Sequence, residues 1–198
     1  MAVSPVEAVP ARDVEGVIDV LTAAFDGYEA MTYMLGPEGT PEDLRALVGY
    51  FVRSRSSVGS PIFGVRDSDV RLIGAAITDP PHPPVRSETV DITATLGADV
   101  VDRMHRFGHA VAPLEPHQPH HYVGMIGVDA AHRGRGVARA ILDTVQERAS
   151  THPDSIGVVL TTERPANVRV YESMGFVVLG EVTTDDGLLR SWTLLREN

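Results

Sequence analysis

The sequence predicts a mixed α/β sheet flanked by helices within one domain. Three observations lead there. Apolar residues alternate between helical spacing and short strand-like runs along the chain. A length of 198 residues suits one domain, two at most. In the C-terminal half, an apolar strand runs through a glycine-rich turn directly into a helix.

Val3 to Val9 reads as a first strand ending at Pro10, and Asp13 as the cap of a helix with Val14, Val17, Ile18, Leu21 and Phe25 at helical spacing. Gly27 to Gly39 breaks that pattern. Thr40-Pro41 opens the next helix, with proline where no N–H is needed, and Leu44, Leu47, Val48, Phe51 and Val52 form its apolar stripe. Ile62 to Val65 and Val70 to Ile77 read as strands joined at Asp67-Ser68-Asp69. The prolines from Pro80 to Pro84 stop regular structure.

Leu96 to Ala112 is expected to be one helix, and Pro113 to Pro119 a loop. Tyr122 to Val128 is a strand, and Arg135 to Ala149 a helix with Val137, Ile141, Leu142 and Val145 inward. Ile156 to Thr161 is almost wholly apolar, as befits the middle of a sheet. A short helix over Asn167 to Met174 stops at Gly175. Val177 to Val182 and Leu188 to Leu195 are expected to pair across Asp185-Asp186-Gly187.

Composition excludes several kinds of chemistry. There is no cysteine and no lysine, so all 17 basic residues are arginine. Disulfides, thiolate metal sites, a cysteine nucleophile, a Schiff-base lysine and a Walker-type phosphate loop are ruled out. Genomic codon bias accounts for the missing lysine. A formal charge of −10 argues against a nucleic-acid partner, although one small electropositive cleft is compatible with it. No apolar run approaches the ~20 residues that cross a bilayer, and the first residues have no signal-peptide pattern. A cytoplasmic protein without membrane partners is expected. His117, His120 and His121 lack a clear carboxylate partner and regular ligand spacing, so no metal site is expected.

The chemistry points to two segments. In the first, Val128-Asp129-Ala130-Ala131-His132 leads into Arg133-Gly134-Arg135-Gly136-Val137-Ala138. The first N–H groups of a helix lack intrahelical partners and sit at its positive dipole end. Glycines at 134 and 136 let a ligand approach those amides, and Arg133 and Arg135 add charge. Such a turn suits a phosphate or pyrophosphate. In the second, Asn167 and Tyr171 are four residues apart, on one face of a short helix. Asn167 offers an amide and Tyr171 a phenolic proton; a helix cap and a core tyrosine are their plainer uses.

Together these segments resemble the GNAT superfamily of N-acetyltransferases. Arg133-x-x-Gly136-x-Ala138 is similar to its pyrophosphate signature, and Asn167…Tyr171-Glu172-x-x-Gly175-Phe176 to its later acetyl-CoA motif. The strand from His121 to Val128 and Arg190-Ser191-Trp192 resemble the puromycin N-acetyltransferase-like group. The resemblance implies acetyl-CoA as co-substrate. It places Ile126, Gly127 and Val128 along the pantetheine arm and the amides of Arg133 through Ala138 on the pyrophosphate. Asn167 would contact the cofactor arm, and Tyr171 would protonate the departing thiolate.

An amine would then attack the thioester directly in a ternary complex, since an acyl-cysteine cannot form. The acceptor is expected to be a small-molecule amine; a protein amine, or an acyl-CoA sensor without turnover, are the alternatives. Tyr28, Glu29, Met31 and Tyr33, between the first two helices, are candidate acceptor-wall residues. His120, His121, Glu115 and Glu29 are candidate bases, with water relaying the proton as the alternative. A homodimer is compatible with the sequence.

Overall fold

The computed structural model describes residues 4–85 and 92–198. Strands β1 (Val6–Ala8), β2 (Ile62–Arg66), β3 (Leu72–Asp79), β4 (His121–Val128), β5 (Gly157–Thr162), β6 (Val177–Thr183) and β7 (Arg190–Glu197) form one sheet. Their order is β1-β2-β3-β4-β5-β7-β6. Every neighbouring pair is antiparallel except β4 and β5.

Helices α1 (Val14–Ala24) and α3 (Pro41–Ser56) cover one face of the sheet, with Val17, Ile18, Leu21, Leu47, Val48 and Val52 in its core. Helix α6 (Val137–Thr151) covers the other, through Ile141, Leu142 and Val145. The strand-helix alternation is therefore a two-sided sandwich around a nearly continuous apolar sheet. At the start of α3, Thr40 and Asp43 satisfy each other's backbone N–H groups in a capping box.

Several boundaries differ from the sequence reading, each for a local reason. Val3 lies outside the described residues, and the first strand runs from Val6 to Ala8. Asp13 holds the N-cap position of α1, but its side chain makes no capping bond; its carboxylate accepts from Arg66 instead. Val70 adopts a left-handed backbone (φ 64°) in the turn, so β3 starts at Leu72 rather than Val70. The supposed break at Gly27 to Gly39 contains α2 (Glu29–Leu35), which buries Ala30, Met31, Tyr33 and Met34. Two turns are too short to display a periodic stripe, and tertiary burial sustains them.

The expected helix over Leu96 to Ala112 is two helices, α4 (Ile92–Leu96) and α5 (Ala98–Val111), because Gly97 sits at φ 85°. Helix α6 begins at Val137, since Gly134 and Gly136 take φ of 73° and 85°. Helix α7 (Pro165–Glu172) begins two residues before Asn167, with proline in its first turn. The last hairpin turns over Thr184–Leu189, where the Thr184 amide donates to the Leu189 carbonyl, the Leu189 amide donates to Thr184 Oγ1, and Asp186 accepts from the Thr184 hydroxyl.

Gly157 starts β5 at φ 147°, and a Cβ there would lie 2.1 Å from the Arg196 carbonyl oxygen. A Gly157→Ala variant is expected to lose about 3 kcal/mol in urea denaturation. A loss below about 1 kcal/mol would show that the β5–β7 ladder can shift to admit a methyl group.

Candidate active site

The site is built on β4. This strand follows β3 along its length but pairs with β5 only where His121–Val123 face Val158–Leu160. Its register against β3 slips between Ile77, opposite Met125, and Thr78, opposite Val123. Gly124 is left as the extra residue of a β-bulge. A bulge bends its strand and increases the local twist. Beyond it β4 leaves β5, and Met125 to Val128 have no strand partner on that side among the described residues. Glycine is required at the bulge, because a Cβ would meet the Arg55 guanidinium at 2.6 Å.

A cavity of about 170 Å³ fills the gap. Its walls include Tyr122 to Ile126 of β4, Leu160, Thr161 and Glu163 at the end of β5, and Asn167 and Tyr171 of α7. Phe25, Tyr28, Met31, Met34, Phe51 and Phe107 make much of the remaining surface apolar, with Arg55 among them. The sequence expectation that Asn167 and Tyr171 share one face holds, as both line this cavity. Asn167 donates to Thr162 Oγ1 at 3.2 Å, which orients its amide. It lies in the first turn of α7 rather than capping it. The Tyr171 ring packs against Phe176 at 5.7 Å. Its hydroxyl has no hydrogen-bond partner among the described residues, and burial followed by the Glu163 charge pushes its pKa up to about 12.

The glycine-rich turn follows the free end of β4. Arg133, Gly134, Arg135 and Gly136 are all exposed. Neither arginine forms an ion pair among the described residues, and Arg133 donates only to the Val128 carbonyl at 3.2 Å. The positive-φ glycines lead into α6 with its first amides turned outward. Ile126 reaches the cavity wall; Gly127 is pressed against α1, where a Cβ would come within 2.5 Å of Ala24.

The expected acceptor residues divide. Tyr28 and Met31 line the cavity, whereas Glu29 and Tyr33 line a separate groove of about 850 Å³ between α2 and the β6–β7 turn. The Tyr28 hydroxyl is already engaged, bonded to Thr162 Oγ1 at 2.9 Å and accepting from the Glu163 amide at 3.1 Å. Tyr33 donates to Asp186 at 2.8 Å. Glu29 is paired with Arg164 at 2.6 Å, so its charge is offset.

His121 is not at the site. It sits at the opposite end of β4, buried, with Nδ1 3.1 Å from Ser155 Oγ and its ring against His152. Burial, then the neighbouring His152, pushes its pKa down to about 4. His120 and Glu115 line a different cavity, which shares only Arg55 and Tyr122 with the one in the splay.

Glu163, absent from the sequence candidates, lines both the splay cavity and the α2 groove. It is buried, and its Oε1 has no hydrogen-bond partner among the described residues. The only sequence signal was its place at the carboxyl end of an apolar strand, where α/β sheets tend to bind ligands.

The acetyltransferase (GNAT) domain family matches residues 106–190. That range covers β4, the glycine-rich turn and α7, and so every residue that brackets the splay from the C-terminal side. Over these residues the chain matches a GNAT acetyltransferase domain.

N-alpha-acetyltransferase 30 of Saccharomyces cerevisiae is 30% identical over 74 residues, which are 35% of this chain and 42% of the yeast protein. The chain thus spans less than half the length of that relative. The GNAT fold is shared with a structure described as histone acetyltransferase HPA2 and related acetyltransferase from Corynebacterium glutamicum. That likeness has a TM-score of 0.75 at 24% identity, over 99% of this chain and 97% of that one. A phosphinothricin acetyltransferase from Sinorhizobium meliloti, solved with acetyl-CoA, is similar at TM-score 0.54 and 15% identity, over 99% and 89% of the two chains. Tyr28, Glu29 and Tyr33 fall outside the GNAT-matched range. Among the described residues, no helix is long and apolar enough to cross a membrane.

Proposed function

We propose that this protein is an acetyl-CoA-dependent N-acetyltransferase that acetylates a primary amine of a small molecule by direct attack in a ternary complex. The observation that supports it most is the splay of β4 from β5 at Gly124, with the glycine-rich turn at its open end and Tyr171 inside. The unpaired edge of β4 suits the amide groups of a pantetheine arm, which would lie along Ile126, Gly127 and Val128 like an added strand. The amides from Arg133 through Ala138, with the two arginines, suit a pyrophosphate. Acetyl-CoA supplies an activated thioester to this site.

The residues have distinct roles. Asn167, held by Thr162, orients the arm where it enters the cavity. The apolar walls exclude water, so the thioester is spent on the amine rather than on hydrolysis. Tyr171, its hydroxyl uncommitted and neutral, donates to the sulfur as negative charge develops there. The small-molecule reading rests on the small, mainly apolar cavity, and the puromycin N-acetyltransferase-like grouping on the strand and Arg190-Ser191-Trp192 motifs. The open α2 groove and the similarity to the yeast N-alpha-acetyltransferase favour a peptide amine as the second reading.

A thermal-shift titration tests the first step. Acetyl-CoA at 100 times its Kd is expected to stabilise the protein by about 2.7 kcal/mol, a rise of several degrees in Tm; no shift at saturation would overturn the reading. Thiol release with phenethylamine, tyramine, spermidine and a free-amine tripeptide then separates the small-molecule and peptide readings. Binding without release from any of them would identify a sensor. Replacing Arg133 and Arg135 together by alanine is expected to weaken acetyl-CoA binding by about 10-fold or more and to flatten its salt dependence. Unchanged affinity in calorimetry would move the pyrophosphate elsewhere.

A further inference from the structure

The splay cavity is larger than an acetyl group needs. An apolar cavity of about 150 Å³ takes up a whole benzene molecule, and this one measures about 170 Å³. Its lining is divided. Glu163 and the α7 residues Asn167 and Tyr171 give it a polar side, where the thioester would sit. Helices α2, α3 and α5 give it an apolar side, through Ala30, Met31, Met34, Phe51 and Phe107. Met31 and Met34 share one face of α2, while Glu29, Thr32 and Tyr33 line the separate groove.

The apolar side has unused surface. Phe51 and Phe107 pack against the core but remain half-buried. A lone acetyl methyl would cover little of that surface, and uncovered walls forfeit both dispersion contacts and burial. Methionine is flexible and polarisable, so Met31 and Met34 suit a chain of no fixed shape. Charge decides what kind of group belongs there. The charged group on this side is the Arg55 guanidinium of α3, whose carboxylate partner, Asp79, is not part of the lining. A cation in an apolar wall disfavours an ammonium and admits an uncharged chain. The groove beyond α2 meets the cavity at Glu163, which leaves the acceptor amine its own approach.

We propose that the helix side of the cavity is an acyl-chain pocket, and that the protein takes propionyl- and butyryl-CoA as well as acetyl-CoA, binding the longer donors more tightly. This rests on the acyl-CoA reading of the site. Transfer follows one course for every chain length. The neutral amine nitrogen bonds to the acyl carbonyl carbon, the carbon–sulfur bond breaks, and its electron pair leaves on sulfur. Sulfur takes a proton from Tyr171, and the extra proton of the new amide passes to solvent, from which Tyr171 is reprotonated. Amine plus acyl-CoA gives N-acylamine plus free thiol.

The test needs no acceptor. Wild-type protein is titrated by calorimetry with free CoA and with acetyl-, propionyl-, butyryl- and octanoyl-CoA. Each methylene added up to butyryl is expected to lower Kd by about fourfold, the effect of burying one CH₂. Butyryl-CoA should therefore bind about 15-fold more tightly than acetyl-CoA. Octanoyl-CoA exceeds the pocket and should bind more weakly than butyryl-CoA. Affinity independent of chain length, or greatest for acetyl-CoA, would overturn the proposal and leave the acyl-CoA reading intact. Affinity that keeps rising to octanoyl-CoA would put the chain outside the cavity and overturn it too. No binding of any form, free CoA included, would refute the acyl-CoA reading and the pocket with it.

Two variants locate the chain. Ala30→Leu fills the pocket from α2 and is expected to bring the butyryl-to-acetyl affinity ratio down to about 1. Phe107→Ala opens it from α5 and should move the tightest-binding chain beyond butyryl, to hexanoyl-CoA. A purely structural disturbance would weaken free CoA and every acyl form alike, and that result in both variants would overturn the assignment of the pocket to these helices. The wild-type series decides the chain-length claim whether or not either variant folds.

Discussion

A Tyr171→Phe enzyme is expected to turn over about 10²- to 10⁴-fold more slowly than wild type, with acetyl-CoA affinity nearly unchanged. The ring would stay packed against Phe176, so the cavity keeps its shape and only the hydroxyl is lost. That hydroxyl has no hydrogen-bond partner among the described residues, and the variant should fold with close to wild-type stability. With its pKa pushed up to about 12 by burial and by Glu163, Tyr171 keeps its proton throughout the working range. It should impose no alkaline limb below about pH 10, well under that pKa. Near-equal turnover, measured by thiol release beside a calorimetric Kd, would take Tyr171 out of the reaction and leave it a wall of the cavity.

Removing the Asp79 carboxylate should be the most damaging structural change. Asp79, at the end of β3, accepts from Arg55 Nε at 3.2 Å and Nη2 at 2.9 Å, and both side chains are about nine-tenths buried. Arg55 also donates to the Phe51 carbonyl, so the pair ties the last turn of α3 to the sheet. An Asp79→Ala variant leaves a guanidinium buried without that carboxylate, at a cost of about 3–5 kcal/mol. In a chain of this size that corresponds to roughly 10 °C in Tm. Pairing Asp79→Leu with Arg55→Met should recover most of the loss, because an apolar pair needs no desolvation repayment. The guanidinium also lies against Gly124, so the double variant tests the bulge as well: restored stability with weakened acetyl-CoA binding would show that Arg55 holds the splay open.

How much of this was readable depends on how local each signal is. The α1 and α3 stripes, the proline at the start of α3 and the glycine-rich turn are written in adjacent residues, and each was recovered to within a few positions. Helix α2 was hidden because seven residues between Gly27 and Gly36 carry no period, and burial of Met31 and Met34 supports them. Gly124 looked like an ordinary strand residue. Its bulge exists because β3 and β4 align with a one-residue slip and because Arg55 occupies the space of a side chain.

The candidate site divides the same way. Arg133 to Ala138 and the Asn167–Tyr171 pair were legible because their chemistry is set by a turn and a helix repeat. Glu163 was not, since nothing in Thr161-Thr162-Glu163-Arg164-Pro165 distinguishes a buried acid from a surface one. Only its position between two cavities, desolvated and with an unmet Oε1, does so. His121 erred in the opposite sense: two residues from Val123 in sequence, it lies on the paired side of the point where β4 leaves β5.

The sequence by itself determined the fold class, the absence of cysteine and lysine chemistry, and the phosphate-suited turn, because composition and short-range spacing are enough for those. The tertiary structure alone decided where β4 separates from β5, which acid faces the gap and which is neutralised by an arginine. Desolvation and pairing depend on what other segments bring alongside a residue, and they set a carboxylate's chemistry far more than its neighbours in the chain do.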